Sequence, residues 1–220
     1  MIKRFIRRVF GLPTEGALRV PREKHGLAQH AISPAAAKVC AGLREAGFSA
    51  HVVGGAVRDL LLGIVPKDFD VATDARPEQI KPLFRRALII GRRFRLVHVL
   101  MGPETVEVST FRGADTETAE KDEHGRLLRD NVFGTMEQDA RRRDFTVNAL
   151  YYDPATEEVV DFHGGLADLK KRTLRVIGDP ATRYREDPVR MLRAVRLAAK
   201  LGLTLDPQTR APIRDMAPLM

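Results

Sequence analysis

Cysteine is almost missing from this sequence, with Cys40 the single one in 220 residues. That excludes an internal disulfide and a cysteine-built zinc site, and a reducing cytoplasm suits the chain best. No apolar run approaches the roughly 20 residues that a membrane-spanning helix needs, so no helical crossing is expected. The six histidines show no metal-ligand spacing, and His51, His98 and His163 are expected to pack or to hydrogen-bond. There is no internal repeat. Acidic residues are scarce at the start: Lys3, Arg4, Arg7, Arg8, Arg19, Arg22 and Lys24 face only Glu15 and Glu23. Residues 1–32 therefore read as a basic arm set apart from the rest, kept irregular by Gly11, Pro13 and Gly16.

What is present is positive charge and enough apolar surface for a core. The formal net charge is +8, with 44% hydrophobic residues. A polyanionic partner follows from that balance, nucleic acid or an anionic membrane surface. Ile2, Phe5, Ile6, Val9 and Phe10 fall at helical spacing, with Lys3, Arg4, Arg7 and Arg8 between them. Such a small amphipathic helix is suited to a membrane surface, to RNA or to a partner protein.

Along the chain, Ser33 followed by Pro34 opens a helix that Gly47 ends. "AHVV" reads as a strand, Gly54 and Gly55 as a tight turn, and "AVRDLLLG" as a short helix. The next strand is expected in "KDFDVAT", a helix from Pro77 to about Ala87, then strands in "ALII", "FRLVHVLM" and "TVEVSTF", the last two as a hairpin. Residues 112–134 are charged and apolar-poor, as in a mobile loop. Thr135 and Gln138 have capping-box spacing and open a helix expected to run to about Leu150. Strands near "EEVVDF" and "TLRVIG" close a strand-rich α+β unit over residues 33–179, and residues 180–220 turn helical.

Asp68 and Asp70 are the first oddity in that pattern. In a strand, alternate residues share a face about 6.6 Å apart. Two full charges at about 4 Å cost on the order of 4 kcal/mol at an effective dielectric of 20. A divalent cation is the simplest compensation. A two-metal phosphoryl-transfer site wants a third carboxylate, and Glu107 projects opposite to Val106 and Val108. Strand order decides whether it meets the aspartates, and a solvated strand face is the alternative.

Three further stretches can serve chemistry or only structure. "GGAVRD" puts Gly54, Gly55 and Arg58 between a strand and a helix, which is either a triphosphate cradle or a plain turn with a surface arginine. "RRRDFTVNAL" would place Arg141, Asp144 and Asn148 on one helix face, fit for a ribose and a phosphate or for simple ion pairs. "YREDPVRMLR" sets Asp187 and Arg190 three residues apart, an acceptor and a planar donor able to read a base edge, or a capping aspartate with its ion-pair partner.

In order and spacing, "VVGGAVRDLLLGIVPKDFDVAT", "VEVSTFRG", "RRRDFTVNAL" and "YREDPVRMLRAVRLAAKLG" resemble the motifs of class II nucleotidyltransferases of the polymerase β superfamily. That family holds tRNA CCA-adding enzymes and bacterial poly(A) polymerases. "GRRFRLVHVLMGPE", "LLRDNVFGTMEQDA" and "YREDPVRML" look closest to the poly(A) branch. The resemblance implies an α+β nucleotidyltransferase head with a mixed sheet flanked by helices, then a helical neck from residue 180. It implies that Asp68 and Asp70 hold two Mg²⁺ ions, that Glu107 supports the RNA 3′-hydroxyl, and that Gly54, Gly55 and Arg58 hold the triphosphate of ATP. Arg143, Asp144 and Asn148 would contact phosphates and ribose, while Asp187 and Arg190 select the base. Family members continue into helical regions that grip RNA, so a chain ending at Met220 is expected to be incomplete, binding ATP but extending RNA poorly. CCA addition shares every motif and is the alternative; a non-catalytic RNA-binding module is a third.

Overall fold

Ser33 starts the first long helix as its sequence dictates. Its hydroxyl accepts from the Ala36 N–H at 3.0 Å and Pro34 occupies the first turn of Pro34–Glu45, α2 here. In this computed structural model, which describes residues 16–91, 95–113 and 133–220, α2 covers one face of a mixed sheet. Its strands are β1 (Leu18–Val20), β2 (Ala50–Val53), β3 (Asp70–Thr73), β4 (Ala87–Ile90), β5 (Leu96–Met101), β6 (Glu104–Thr110), β7 (Leu150–Asp153) and β8 (Glu158–Asp161). Their order is β1-β8-β7-β2-β3-β6-β5-β4. β3 and β6 run parallel, and the other pairings described within this sheet are antiparallel.

Period-two alternation assigns the faces. Val52, Val71, Val97, Val99, Val106 and Val108 are fully buried on the α2 side of the sheet, in the main apolar cluster. On the opposite face a smaller cluster gathers Val53, Ala72, Phe111, Tyr151 and Val160. Among the described residues that second layer does not extend over β4, β5 and β6, and the candidate site lies where it ends.

Several expectations change. The arm is not set apart along its whole length: β1 (Leu18–Val20) pairs with β8, a four-residue helix α1 (Arg22–His25) follows, and Leu27 and Ile32 are buried in the main cluster. The amphipathic stretch over residues 1–10 lies outside the described residues, as does 114–132 of the charged loop. The aspartate strand begins at Asp70, so Asp68 stands on its irregular lead-in. The helix from Pro77 is only Pro77–Ile80, α4, tightening into a 3₁₀ turn at Lys81–Leu83 where Pro82 brings no N–H to continue it.

The capping box of Thr135 and Gln138 is formed, but its helix, α5, ends after Met136–Arg142. Phe145 and Val147 are then wholly buried, and the backbone turns to other partners. Ile177 N–H donates to Asp144 O and Thr146 N–H to Arg175 O, each at 3.0 Å. A 3₁₀ turn at Thr146–Asn148 follows and then β7, a strand absent from the sequence reading, whose helix ends at about Leu150. Asp144 and Asn148 are therefore not one turn apart on an α-helix. "TLRVIG" gives only β9 (Thr173–Leu174), which pairs with β10 (Thr204–Leu205) outside the main sheet.

The helical part comprises α7 (Pro180–Glu186), capped by Asp179, and α8 (Val189–Leu201), closed by Gly202 in the left-handed region. Between the sheet and this part lies α6 (Gly165–Lys170). Short helices at Pro207–Arg210 and Ile213–Met216 follow α8. Among the described residues no helix is long and apolar enough to cross a membrane.

Candidate active site

β3 and β6 bring the carboxylates together. In their parallel register Asp70 is the partner of Glu107, so the strand order that the sequence left open puts Glu107 beside the aspartate strand. Asp68 and Asp70 are exposed while Phe69 between them is buried, so both acids stand clear of the core. Desolvation raises the Asp70 carboxyl, the charges of Glu107 and Asp68 raise it further, and Arg143 opposes them; the result is about 6 against an ordinary 3.8. Glu107 also meets His98 across β5, with Nε2 to Oε2 at 3.5 Å.

Next to these acids, β2 runs into α3 (Gly55–Leu61) through Gly54. Gly54 has φ +77° and ψ −129°, open to glycine and strained for other residues. A Cβ at Gly54 would come 3.4 Å from Arg143 Nη1, and one at Gly55 would come 3.5 Å from Arg58 Nη2. The turn thus lies between two guanidinium groups. Arg143 is held by Asp139 and Tyr151. Its Nη2 donates to Asp139 Oδ2 at 3.0 Å, its Nε to Tyr151 Oη at 3.0 Å, and Tyr151 Oη–H donates to Asp139 Oδ2 at 2.7 Å. Burial works against the Arg143 charge, but Tyr151 and Asp139 more than offset it.

Arg58 is not the surface arginine of the plain-turn alternative. Its side chain is 7% exposed, with Nε donating to Asp59 Oδ1 at 2.8 Å and Nη1 to Asn148 Oδ1 at 2.6 Å. Asn148 Nδ2 donates in turn to Asp144 Oδ1 at 3.0 Å. Asp144 Oδ2 accepts from Arg193 Nε and Nη2 on α8 at 2.9 and 2.5 Å. Asp144 and Asn148 are still brought together, by the 3₁₀ turn rather than by a helix face. Arg141 is not part of this group; it pairs with Glu137 at the surface.

Asp187 and Arg190 are only partly as expected. Asp187 is the extended residue that ends α7, Arg190 lies in α8, and their side chains stand 4.0 Å apart. Arg190 Nη1 donates to Arg183 O at 2.8 Å and to Glu186 Oε2 at 3.1 Å. The Asp187 carboxylate stays about half exposed. Arg183 Nη2 donates to the carbonyls of Arg142 and Arg143 at 2.6 and 2.8 Å, so the helical part clamps the segment that presents Arg143.

Sequence reasoning missed Arg183, Arg193 and the Asp139–Tyr151 pair. Arg193 had a signal, since Arg190, Arg193 and Arg196 recur every three residues. A basic cleft of about 200 Å³ opens between Arg58, Asn148, Arg193, Arg196, Leu197 and Lys200. A larger recess of about 260 Å³, near His163, Arg175 and Asp206, contains none of the predicted residues. It lies away from the carboxylates.

A mixed sheet with paired carboxylates on neighbouring parallel strands, beside a glycine turn set between arginines, is the head of a nucleotidyltransferase. Residues 50–175 match the family model of the poly A polymerase head domain, and the chain belongs to that family. It is 55% identical over 207 residues to poly(A) polymerase I of Escherichia coli O6:H1, covering 91% of this chain and 44% of that one. To the CCA-adding enzyme of Lactobacillus helveticus it is 42% identical over 173 residues, covering 79% and 42%. The CCA-adding enzyme of Bacillus stearothermophilus, solved in complex with CTP, superposes with a TM-score of 0.73 at 35% identity over 86% of this chain and 45% of that one. The chain spans less than half the length of each of these relatives.

Proposed function

We propose that this chain transfers AMP from ATP to the 3′-hydroxyl of RNA, releasing pyrophosphate, and that it does so in the cytoplasm. The observation that carries the reading is the Asp70–Glu107 register pair beside the Gly54 turn and Arg143. The donor set fits a divalent cation: all-oxygen, with Asp70 lifted to about 6 by desolvation and then by the Glu107 and Asp68 charges, and so short of positive charge. Among the described residues no three His, Cys, Asp or Glu side chains already converge on one point. Asp68 and Asp70 would hold the metal, two Mg²⁺ in the full reading, with Glu107 alongside. Such ions supply Lewis-acid stabilisation of the charge at phosphorus and on the leaving group.

The chain's own residues position the reactants. The Gly54–Gly55 turn lets the triphosphate approach the backbone, and Arg143 and Arg58 border it with positive charge. Glu107 would orient the attacking 3′-oxygen, whose bond to the α-phosphorus forms as the bond to pyrophosphate breaks. Asp144 and Asn148 would face ribose and phosphate, and Asp187 with Arg190 would read the adenine edge. Identity to poly(A) polymerase I supports adenosine addition over CCA addition. The test offers oligo(A) with ATP and Mg²⁺, and separately tRNA lacking its CCA end with CTP and ATP. AMP incorporation into oligo(A) is expected. Addition of two cytidines and one adenosine to the tRNA overturns the reading.

A further inference from the structure

Beyond Glu107 the same face of the sheet continues to its edge. The register runs Asp70, Glu107, His98, Leu88 across β3, β6, β5 and β4. Adjacent strands lie about 4.8 Å apart, so His98 stands one strand beyond Glu107 and Leu88 two. The reverse face of these strands is packed solid by Val97, Val99, Val106 and Val108. Among the described residues the near face is not. Leu88 is 57% exposed and the His98 side chain 33%. Leu96 and Leu100, half-buried on either side of His98, belong with Leu88 to neither packed cluster of described residues. An apolar patch left out of the core commonly marks a binding surface.

Two features favour nucleic acid over another occupant. The patch is continuous with the carboxylate row, through the 3.5 Å contact of His98 with Glu107. Its outer rim is cationic: Arg85 and Arg86 are exposed just before β4, and Arg86 O accepts from Leu100 N–H at 2.9 Å, which extends the strand pairing to that residue. By alternation Arg86 shares its face with Leu88.

We propose that this face, from Glu107 outward to Leu88, is the platform on which the last nucleotides of the RNA 3′ end stack. The proposal rests on the reading of the chain as an RNA nucleotidyltransferase and names where its primer lies. The imidazole of His98 and the leucines beside it meet base faces, as ring and apolar side chains on a sheet do for unpaired bases. Arg86 meets a phosphate further along the strand. The terminal hydroxyl then reaches Glu107, one strand inward.

Binding of 5′-labelled oligo(A), followed by fluorescence anisotropy without ATP or metal, tests this on the whole chain, with ATP affinity measured separately. His98→Ala should weaken oligo(A) about tenfold, the scale of one lost stacking contact. His98→Phe, which keeps a ring, should stay near wild type. Leu88→Ser, at an exposed position, should weaken oligo(A) with no change in thermal stability, and none of the three should change ATP affinity. Equal oligo(A) affinity in wild type, His98→Ala and Leu88→Ser overturns the platform, while AMP transfer by wild type would still stand. Failure of wild type to transfer AMP removes the enzymatic reading instead, without touching a measured difference in oligo(A) binding. If Leu88→Ser converts a dimer to a monomer in sedimentation and leaves oligo(A) binding unchanged, the face belongs to a second copy and the platform is wrong.

Discussion

Asp70 on β3 and Glu107 on β6 are register partners across a parallel pairing. A shift of one residue in either strand would put a core valine where each acid stands, since Val71, Val106 and Val108 are fully buried. Burial of those valines on the α2 side therefore holds the two carboxylates together on the other side. Packing on one face sets the chemistry on the reverse.

Removing the Asp70 charge should separate catalysis from stability. Asp70→Asn is expected to abolish AMP transfer, because the carboxylate pair needed for the metal is gone. It should also stabilise the metal-free protein at neutral pH, where desolvation and the Glu107 charge both disfavour the ionised form. Asp70 is solvent-exposed, so screening limits the gain to about 1 kcal/mol, a rise in Tm of roughly 2–4 °C. Thermal melts with and without Mg²⁺ check it: Mg²⁺ should raise the Tm of wild type and leave Asp70→Asn almost unmoved. An equal response in the two proteins would remove Asp70 from the metal site.

Asn148→Asp tests the bridge between Arg58 and Asp144. The Asn148 amide donates to Asp144 while its carbonyl accepts from Arg58. A carboxylate there keeps the Arg58 bond but turns the Asp144 contact into repulsion. The expected result is weaker ATP binding, about tenfold on the scale of a lost charge-assisted bond. Asn148→Ala also takes the acceptor from the buried Nη1 of Arg58, which keeps only Asp59, and should lower stability by about 1–3 kcal/mol. Calorimetry and urea denaturation read the two effects. Wild-type ATP affinity in Asn148→Asp would show that the bridge is purely structural.

Gly54→Ala should damage nucleotide binding more than its single methyl suggests. At φ +77° the left-handed conformation costs a side-chain-bearing residue about 1–3 kcal/mol, and the added Cβ would stand in van der Waals contact with Arg143 Nη1 at 3.4 Å, on the side a phosphate would approach. Arg143 cannot give way without leaving Asp139 and Tyr151. ATP affinity should fall at least tenfold with the fold retained, measured by calorimetry beside circular dichroism. Unchanged affinity would mean that the triphosphate does not approach this turn.

Local chemistry made much of this legible. Ser33-Pro34 and the box of Thr135 and Gln138 announce their helix starts through their own side chains, and valines at alternate positions of β6 announce their strand. Asp68 and Asp70 were suspicious because two like charges two residues apart need a counter-charge. Long-range partners hid the rest. Nothing within "RRRDFTVNAL" shows that Asp144 O will bond Ile177 N–H or that Phe145 and Val147 will bury, so the local pattern extends the helix eight residues too far and hides β7. Residues 18–20 look like part of a solvated arm until β8 supplies their partner. Arg58 looks exposed until Asn148, ninety residues away, covers it. Arg193 reaches Asp144 only because the helical part folds back onto the sheet.

His51 should make the protein sensitive to mild acid. It lies in β2, 4% exposed, with ring contacts to Phe111 and Tyr151, and its Nδ1 has no hydrogen-bond partner. Burial pulls its pKa from 6.5 to about 4, against Asp153 and Asp74, which favour the charged ring, and with Arg44 and Arg19, which oppose it. The folded protein thus binds a proton at His51 less readily than the unfolded chain does. Stability from this residue is fully present above about 6.5 and is lost as pH falls toward 4. Between pH 7 and pH 5 the loss is about 2 kcal/mol for a shift of this size. His51→Phe keeps a ring among Phe111 and Tyr151 and removes the titration, so its stability should fall less steeply over the same range, whatever its value at pH 7. His163, also pushed down by burial, remains in both proteins and cancels in the comparison. Urea denaturation at pH 7, 6 and 5 measures both slopes; parallel slopes for wild type and His51→Phe would show that acid acts elsewhere.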